Sequence, residues 1–348
     1  MAQTVVGVDF AAGVVRAVEV GGSSRKPVIE RYAEVAVPDG AIVRGEVMEP
    51  HTVATALKQL WSNGGFSSKS IAIGIGNHRV LARDLTVARA SRQRIRESLP
   101  HLVQDMLPMP VADALLDFYP VAEIDGEHGP QVQGLLVAAA KDAVLGNIKA
   151  AKLAGLKTVE VDLLPFALSR VYLQGPDAAG TVALAEIGGS TTTVVIATDG
   201  VPQFIRIIPT GSDQITLELA RRLEIDTAQA EQVKRQIGLS ATAVPPEYQK
   251  ALEVIYEVAG ELLTSLRNTI NYFNNTRQEN PVRQILLAGG GAALPGCERA
   301  VNEVTRMPVV AVDPLAGMEI SRKLDENAMR QGRPNLAVAL GLTAGRAA

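Results

Sequence analysis

Apolar residues crowd into short runs at the start of the chain. Thr4–Asp9, Val14–Val20 and Pro27–Val37 are rich in valine or isoleucine and are separated by glycine, serine or alanine-glycine turns. Each run predicts a β-strand. The spacing then changes. Over His51–Asn63, Val53, Ala56, Leu57, Leu60 and Trp61 recur at helical intervals, and Gly64-Gly65 stops the pattern. Ser70–Gly76 predicts a buried strand, Lys157–Val161 another, and a helix follows Pro165.

The second half repeats this order. Thr181–Ile187, Thr191–Ala197 and Val201–Ile208 read as three strands. Helical patterns run over about Ser212–Arg222 and Tyr248–Phe273, the latter with Leu252, Ile255, Ala259, Leu262, Leu263, Leu266 and Ile270 as a packing stripe. Arg283–Ala288 predicts a buried strand, Cys297–Arg306 a helix, Pro308–Val312 a short strand and Asn335–Arg346 a closing helix. The two halves also align at their first strands: Val5–Phe10 matches Val182–Ile187, each an apolar run ending in a carboxylate before a small-residue turn. The period is too long for a solenoid and predicts two related α/β domains facing each other.

Each half carries an insertion. The first, about Asn77–Leu156, holds the basic stretch Arg89, Arg92, Arg94 and Arg96, the turn Leu107–Pro110, and the strand-like runs Leu115–Val121 and Val132–Ala140. The second, about Leu223–Glu247, is polar and helical. The expected division is a first domain over 1–180 and a second over 181–334. The first has its core at 1–76 and 157–180, a subdomain inserted at 77–156, and the closing helix 335–348. The second has a helical subdomain at about 212–275.

Composition narrows the chemistry. The 348 residues are 47% hydrophobic and 20% charged, which rules out a largely disordered chain. The single cysteine, Cys297, excludes an internal disulfide framework and a cysteine metal cluster, and reads as a buried small hydrophobe; Trp61 reads as core. Four scattered histidines make a histidine metal site a poor expectation. A net charge of −3 gives no general drive toward nucleic acid or anionic lipid, and 4% aromatics leave little for base stacking. No apolar run approaches the ~20 residues that span a bilayer, and the start, MAQTVVGVDF, lacks a basic region. The expectation is a cytoplasmic protein in a reducing compartment.

Four motifs remain. In Asp9-Phe10-Ala11-Ala12-Gly13, a strand-end carboxylate meets a tight turn of small residues. Backbone amides there approach a phosphate closely, and the carboxylate suits Mg²⁺ held through water. Glu186-Ile187-Gly188-Gly189-Ser190-Thr191 repeats the device, with hydroxyls added. Gly289-Gly290-Gly291, running on to Leu294, lets a buried strand meet a flat or anionic ligand. Glu231 and Lys234, three apart, share a helix face; taken alone they read as a solvated ion pair. Neither a G-x-G-x-x-G fingerprint nor a P-loop occurs.

In this order the four motifs resemble the actin-like ATPase superfamily of actin, the DnaK-type chaperones, sugar kinases, MreB and FtsA. The resemblance implies two duplicated domains clasping ATP and Mg²⁺. The Asp9 and Glu186 turns would hold phosphates and, through water, the metal. Gly289–Gly291 would border the adenosine, and Glu231 and Lys234 the ribose and adenine edge. Val161–Pro165 resembles the interdomain connection, which makes Asp162 a candidate to orient a water.

Within the superfamily the chain is most similar to the PilM family of type IV pilus assembly. The similarity rests on Val6–Val20, Leu107–Val121, Val159–Arg170, Glu186–Gly200, Ile205–Leu223 and Ala230–Gly238. The first insertion discriminates, because chaperones and sugar kinases lack it; it implies an FtsA-like inserted subdomain. The resemblance implies an ATP-binding scaffold at the inner face of the cytoplasmic membrane. It would recruit the N-terminal cytoplasmic peptide of a PilN-like inner-membrane protein, touching the membrane only indirectly. Contacts with pilus assembly ATPases and between identical copies fit the same role. The second turn carries Glu186 where the family usually has Asp, and the first carries Ala11-Ala12 where Gly and hydroxyls are usual. Catalysis suffers from ~1 Å misplacement more than binding does, so slow or absent hydrolysis is expected.

Two other functions share the fold. A small-molecule kinase needs a general base beside an acceptor hydroxyl, and no convincing polar substrate pocket is legible. An FtsA-like division or filament scaffold normally ends in an amphipathic membrane helix, whereas NLAVALGLTAGRAA fits a packed closing helix better.

Overall fold

The computed structural model describes residues 4–23, 26–127, 129–239, 244–332 and 335–344. Strands β1 (Val6–Ala11), β2 (Val14–Ser23) and β3 (Lys26–Ala36) form an antiparallel meander, followed by the small hairpin β4 (Ile42–Val43) and β5 (Glu46–Val47). Helix α1 (Pro50–Gly64) leads into β6 (Ser70–Ile75). The first insertion supplies β7 (Val80–Ala88), α2 (Arg92–Leu102), β8 (Ala114–Gly126), β9 (Gly129–Ala140) and α3 (Lys141–Leu153). Strand β10 (Lys157–Leu163) and helix α4 (Leu164–Tyr172) follow.

The second half runs β11 (Thr181–Ile187), β12 (Thr192–Thr198), β13 (Val201–Ile208), α5 (Asp213–Leu223), α6 (Thr227–Ile237) and the long α7 (Gln249–Thr276). It continues through β14 (Gln284–Ala288), α8 (Cys297–Thr305), β15 (Val309–Ala311), β16 (Glu319–Ile320), α9 (Glu326–Gly332) and α10 (Ala337–Thr343).

The duplication is visible in the sheets. One has the order β10-β6-β1-β2-β3-β16, the other β15-β14-β11-β12-β13. In both, a parallel trio adjoins an antiparallel hairpin pair, and β1 and β11 occupy the same place. Each central strand is apolar without alternation because both its faces are covered: β1 is buried from Val6 to Phe10, and β11 from Thr181 to Ala185. In both, the carboxylate comes just before the last buried residue of the strand, Asp9 before Phe10 and Glu186 before Ile187.

Helix α7 packs its stripe, Ile255, Leu262, Leu266 and Phe273 among it, under the second sheet with Ile285 and Leu287. Beneath the first sheet, Leu57 and Leu60 of α1 join Val8, Ile71 and Ile73. Trp61 is partly buried against that cluster and Cys297 is buried in the α7 cluster.

The inserted segment forms a third, antiparallel sheet, β7-β9-β8. Helix α2 packs on it through Ile95 and Leu99, against Val87, Val132 and Leu136. Of the arginine stretch, Arg92, Arg94 and Arg96 are thus on the polar face of a helix capped by Ser91, whose side chain accepts a hydrogen bond from the Arg94 amide, while Arg89 follows β7. Strands β4, β5, β7 and β16 and helices α2, α3 and α9 were not expected from the apolar pattern. The closing helix was expected to run to Arg346, of which 345–348 lie outside the described residues.

Candidate functional site

The two acidic hairpin tips face one cavity of about 650 Å³ between the sheets, within the ~300–1,000 Å³ usual for small-molecule sites. From the first hairpin it is lined by Asp9, Phe10, Ala11 and Ala12, and from the second by Glu186, Gly188, Gly189, Ser190 and Thr191. Helix α6 contributes Glu231 and Lys234, and the turn after β14 contributes Gly290 and Leu294.

Three glycines of the motifs lie outside the lining and shape it instead. Gly13 takes φ +72 in the first turn. Gly289 takes φ +92, and a Cβ there would overlap Ile187 O and come within 2.7 Å of Glu186 Oε1. A Cβ at Gly291 would overlap Ile187 Cγ2. Asp162 is also elsewhere: it lines a second groove, and its carboxylate bonds the Arg170 guanidinium. A neutralised carboxylate outside the cavity does not orient a water inside it.

The carboxylates differ in environment. Asp9 is buried; desolvation raises its pKa against the pull of Arg16, whose Nη1 is 3.7 Å away. Among the described residues Glu186 has no ion pair. Burial first, and the charge of Asp9 second, push its carboxyl up to about 8. Burial works to raise Glu231 as well, but hydrogen bonds from Lys234, Thr216 and Arg235 overcome it and hold the group at about 2. Lys234, expected as a solvated partner, is 3% exposed. Its Nζ lies 2.6 Å from Glu231 Oε2 and donates to Ser212 O at 3.3 Å.

Several lining residues escaped the sequence reading. Arg16 sits opposite Asp9 on β2, and Glu34 opposite Arg16 on β3, a cross-strand row of alternating charge with Arg16 Nε 3.0 Å from Glu34. Arg44 and Gly45 form the two-residue β4–β5 turn, both with positive φ (+50 and +80), as a tight hairpin of this type requires. Asn147 of α3 pins that turn, donating to Gly45 O and accepting from the Val47 amide, each at 2.9 Å. Ser212 and Asp213 start α5, and their amides donate to Gly188 O and Gly189 O at 2.9 Å, fixing the second tip. Their signal was the Gly-Ser-Asp sequence after β13.

The cavity is thus lined by four acids (Asp9, Glu186, Asp213, Glu231) and four bases (Arg16, Arg44, Lys234, Arg235). Among the described residues no group of three or more His, Cys, Asp or Glu is arranged to hold a metal by itself.

A second groove, of about 1,000 Å³, lies where the inserted sheet meets β10. β8 and β10 both bound it, and each is the edge strand of its sheet. Apolar Ile95, Leu115, Val121 and Phe166 line it beside Arg89, Arg92 and Arg96. Arg96 chelates Asp117 at 2.9 Å, and Arg89 meets Glu123 at 3.3 Å; among the described residues Arg92 has no ion pair.

Comparison with known proteins places this architecture. A profile of the family described as type IV pilus assembly protein PilM matches residues 7–346. The chain belongs to the PilM family. As a PilM-family chain it is similar in fold to a solved PilM-PilN type IV pilus biogenesis complex, with 24% identity, 98% of each chain covered and a TM-score of 0.82. It resembles MreB 5 of Spiroplasma citri bound to AMPPNP at 12% identity and a TM-score of 0.54, covering 99% of this chain and 96% of that one. In sequence it is 22% identical to the cell division protein FtsA of Bacillus subtilis over 85% of this chain and 78% of that protein. The actin-like fold expected for this PilM-family chain is therefore the observed one. Among its described residues no helix is long and apolar enough to cross a membrane.

Proposed function

We propose that the chain binds ATP with Mg²⁺ in the cavity between its two sheets and receives the extended N-terminal peptide of a PilN-like membrane protein in the second groove. It then serves as a nucleotide-dependent scaffold on the inner face of the cytoplasmic membrane. The observation that carries the first half is the convergence of both acidic hairpin tips, Asp9 and Glu186, on one cavity.

The charge inventory supports a phosphate-metal ligand. Four cations already balance four carboxylates, so a triphosphate brings charge that the protein alone does not neutralise. Two strand-end carboxylates close enough for one to raise the other's pKa are suitable donors for a hydrated Mg²⁺, which usually keeps several waters and takes one or two carboxylates plus phosphate oxygens. When bound, the ion neutralises phosphate charge. Glu231 and Lys234 then face the ribose and base, and Ser190 and Thr191 offer hydroxyls to the phosphates. The solved MreB 5 complex with AMPPNP is a protein of the same fold holding a nucleotide.

The groove supports the second half. Two edge strands leave backbone groups unpaired along its walls, which suits strand-like addition of an extended peptide. Pro120 lies on the edge strand β8, where proline is tolerated. Arg92 offers a charge for an acidic or carbonyl group. The solved structure of similar fold is a PilM-PilN complex, which supports a PilN-like partner for this chain.

Turnover is slow or absent in this reading. Asp162 is engaged by Arg170 away from the cavity. Equilibrium dialysis with labelled ATP and Mg²⁺ tests the proposal: micromolar or tighter binding is expected, and no detectable binding ends it. Steady phosphate release of about 1 per second or faster would refute the slow-turnover part.

A further inference from the structure

The cavity and the groove share one wall. Along β6 and the residue after it, Gly74 and Gly76 line the cavity, while Ile75 between them lines the groove. This is the ordinary two-residue alternation of extended backbone. The parallel strand β10 lies beside it, with Asp162 opposite Gly74 and Leu163 opposite Ile75. Asp162 and Leu163 line the groove, and the next residue, Leu164, lines the cavity. At this place the partition is one layer of backbone thick.

Both of its faces are tightly packed. A Cβ on Gly74 would overlap Leu164 Cδ2, and one on Gly76 would lie 2.7 Å from Leu164 Cβ and Cγ. Leu164 therefore occupies the space that the two glycines leave. On the other face Ile75 and Leu163 pack with Val137, Ala139 and Val144, and Phe166 stacks on Tyr119 of β8 with centroids 4.7 Å apart. Close-packed interiors transmit displacement instead of absorbing it. A ligand pressing on Leu164 has no void to push it into; the turn from β10 to α4 must move, and Leu163, Phe166 and Tyr119 move with it.

We propose that this wall, with Leu164 as its positioning residue, couples the two sites, so that ATP in the cavity changes the affinity of the groove for peptide. The inference rests on the functional reading above. Linkage requires the reverse effect by the same factor: bound peptide changes ATP affinity equally.

The test is a pair of titrations on the full chain. A fluorescent synthetic peptide of the PilN-like protein's N-terminal segment is titrated with and without saturating Mg-ATP, and ATP is titrated with and without saturating peptide. About fivefold or more is expected in both, in the same direction and by the same factor. Leu164→Ala should reduce the factor to below twofold, and Leu164→Met, which keeps the volume, should retain it. Because the factor is a ratio, it is informative even if one affinity itself shifts. Both ligands binding wild-type protein with affinities indifferent to each other would overturn the coupling and leave the functional reading intact. Full coupling in Leu164→Ala would overturn the role of the wall. Failure of either ligand to bind wild-type protein would overturn the functional reading and this inference with it.

Discussion

Lys234 and Glu231 form a buried contact across one helical turn, Nζ to Oε2 at 2.6 Å, with the lysine tied on to Ser212 O of the segment that starts α5. Helix α6, the start of α5 and the edge of the cavity are thereby one unit. Lys234→Met removes both contacts and leaves Glu231 to Arg235 and Thr216. Stability should fall by about 1–3 kcal/mol, measured by urea unfolding. ATP affinity in equilibrium dialysis should fall by about tenfold, the scale of one lost charge-assisted hydrogen bond.

The Glu231 carboxylate also sets an acid limit. Its folded value of about 2 lies below the ordinary 4.5. Its contribution is therefore complete above 4.5 and is lost as pH falls from there toward 2. In Lys234→Met the folded value should lie nearer to 4.5, so less stability is lost over this window, read as a shallower acid limb of Tm against pH.

Glu186 works in the opposite sense. Its folded value of about 8 exceeds the ordinary 4.5, so between those values the folded state binds the extra proton. Stability contributed at this site must then fall as pH rises through that window. Glu186→Gln removes the titrating group. The difference in Tm between Glu186→Gln and wild type should grow in favour of the variant from pH 5 to pH 8. A constant difference would contradict the assignment.

Two glycines with positive φ separate strain from clash. At Gly13 a Cβ meets nothing within 4 Å, so Gly13→Ala should cost only the left-handed backbone penalty of about 1–2 kcal/mol. At Gly289 the same penalty is joined by overlap with Ile187 O, a backbone atom that has no rotamer to escape into. Gly289→Ala should cost clearly more than Gly13→Ala, and should weaken ATP binding by displacing the second tip.

A bound nucleotide should also be visible in unfolding. ATP with Mg²⁺ at a hundredfold over its Kd should stabilise the chain by about 2.7 kcal/mol, and ATP with excess chelator by less. Thermal shift with the two additions compares them directly.

In the groove, Arg92→Glu reverses the charge of the arginine that has no ion pair among the described residues. Affinity for the PilN-like peptide should drop by about tenfold or more, and the wild-type affinity should weaken with added salt. Fluorescence anisotropy at two ionic strengths measures both.

Where burial is uniform, the chain announced itself. The bounds of β11 and β13 could be read directly, because their apolar runs end abruptly at Gly or Pro-containing turns. The two carboxylate tips were legible for the same reason, since each ends such a run. Elements carried by few buried residues were not. Strand β7 buries only Val87 along its length, so its Arg83 and Asp84 hide the alternation. Helix α2 offers only Ile95 and Leu99 to the core, and its arginines dominate the pattern. Helix α3 packs mainly with alanines and Asn147 beside the one valine, Val144, which together carry little apolar signal. Arg16 was missed because nothing in an isolated strand shows what lies across from it; the Asp9–Arg16–Glu34 row exists only once three strands pair. Asp162 was misplaced because sequence locates it at a strand end without saying which side of the sheet that end faces.

The polypeptide passes from one sheet to the other twice. It goes over between β10 and β11, and it returns when β16 joins the edge of β3 and α10 settles against β1. A body tied at a single point swings on a tether; one tied at two separate points keeps rotation about the line joining them and little else. Here the halves are also joined by a packed seam, Leu168, Tyr172 and Ala337 against Val182, Leu184 and Leu286, so any closing of one mouth has to be taken up along that seam.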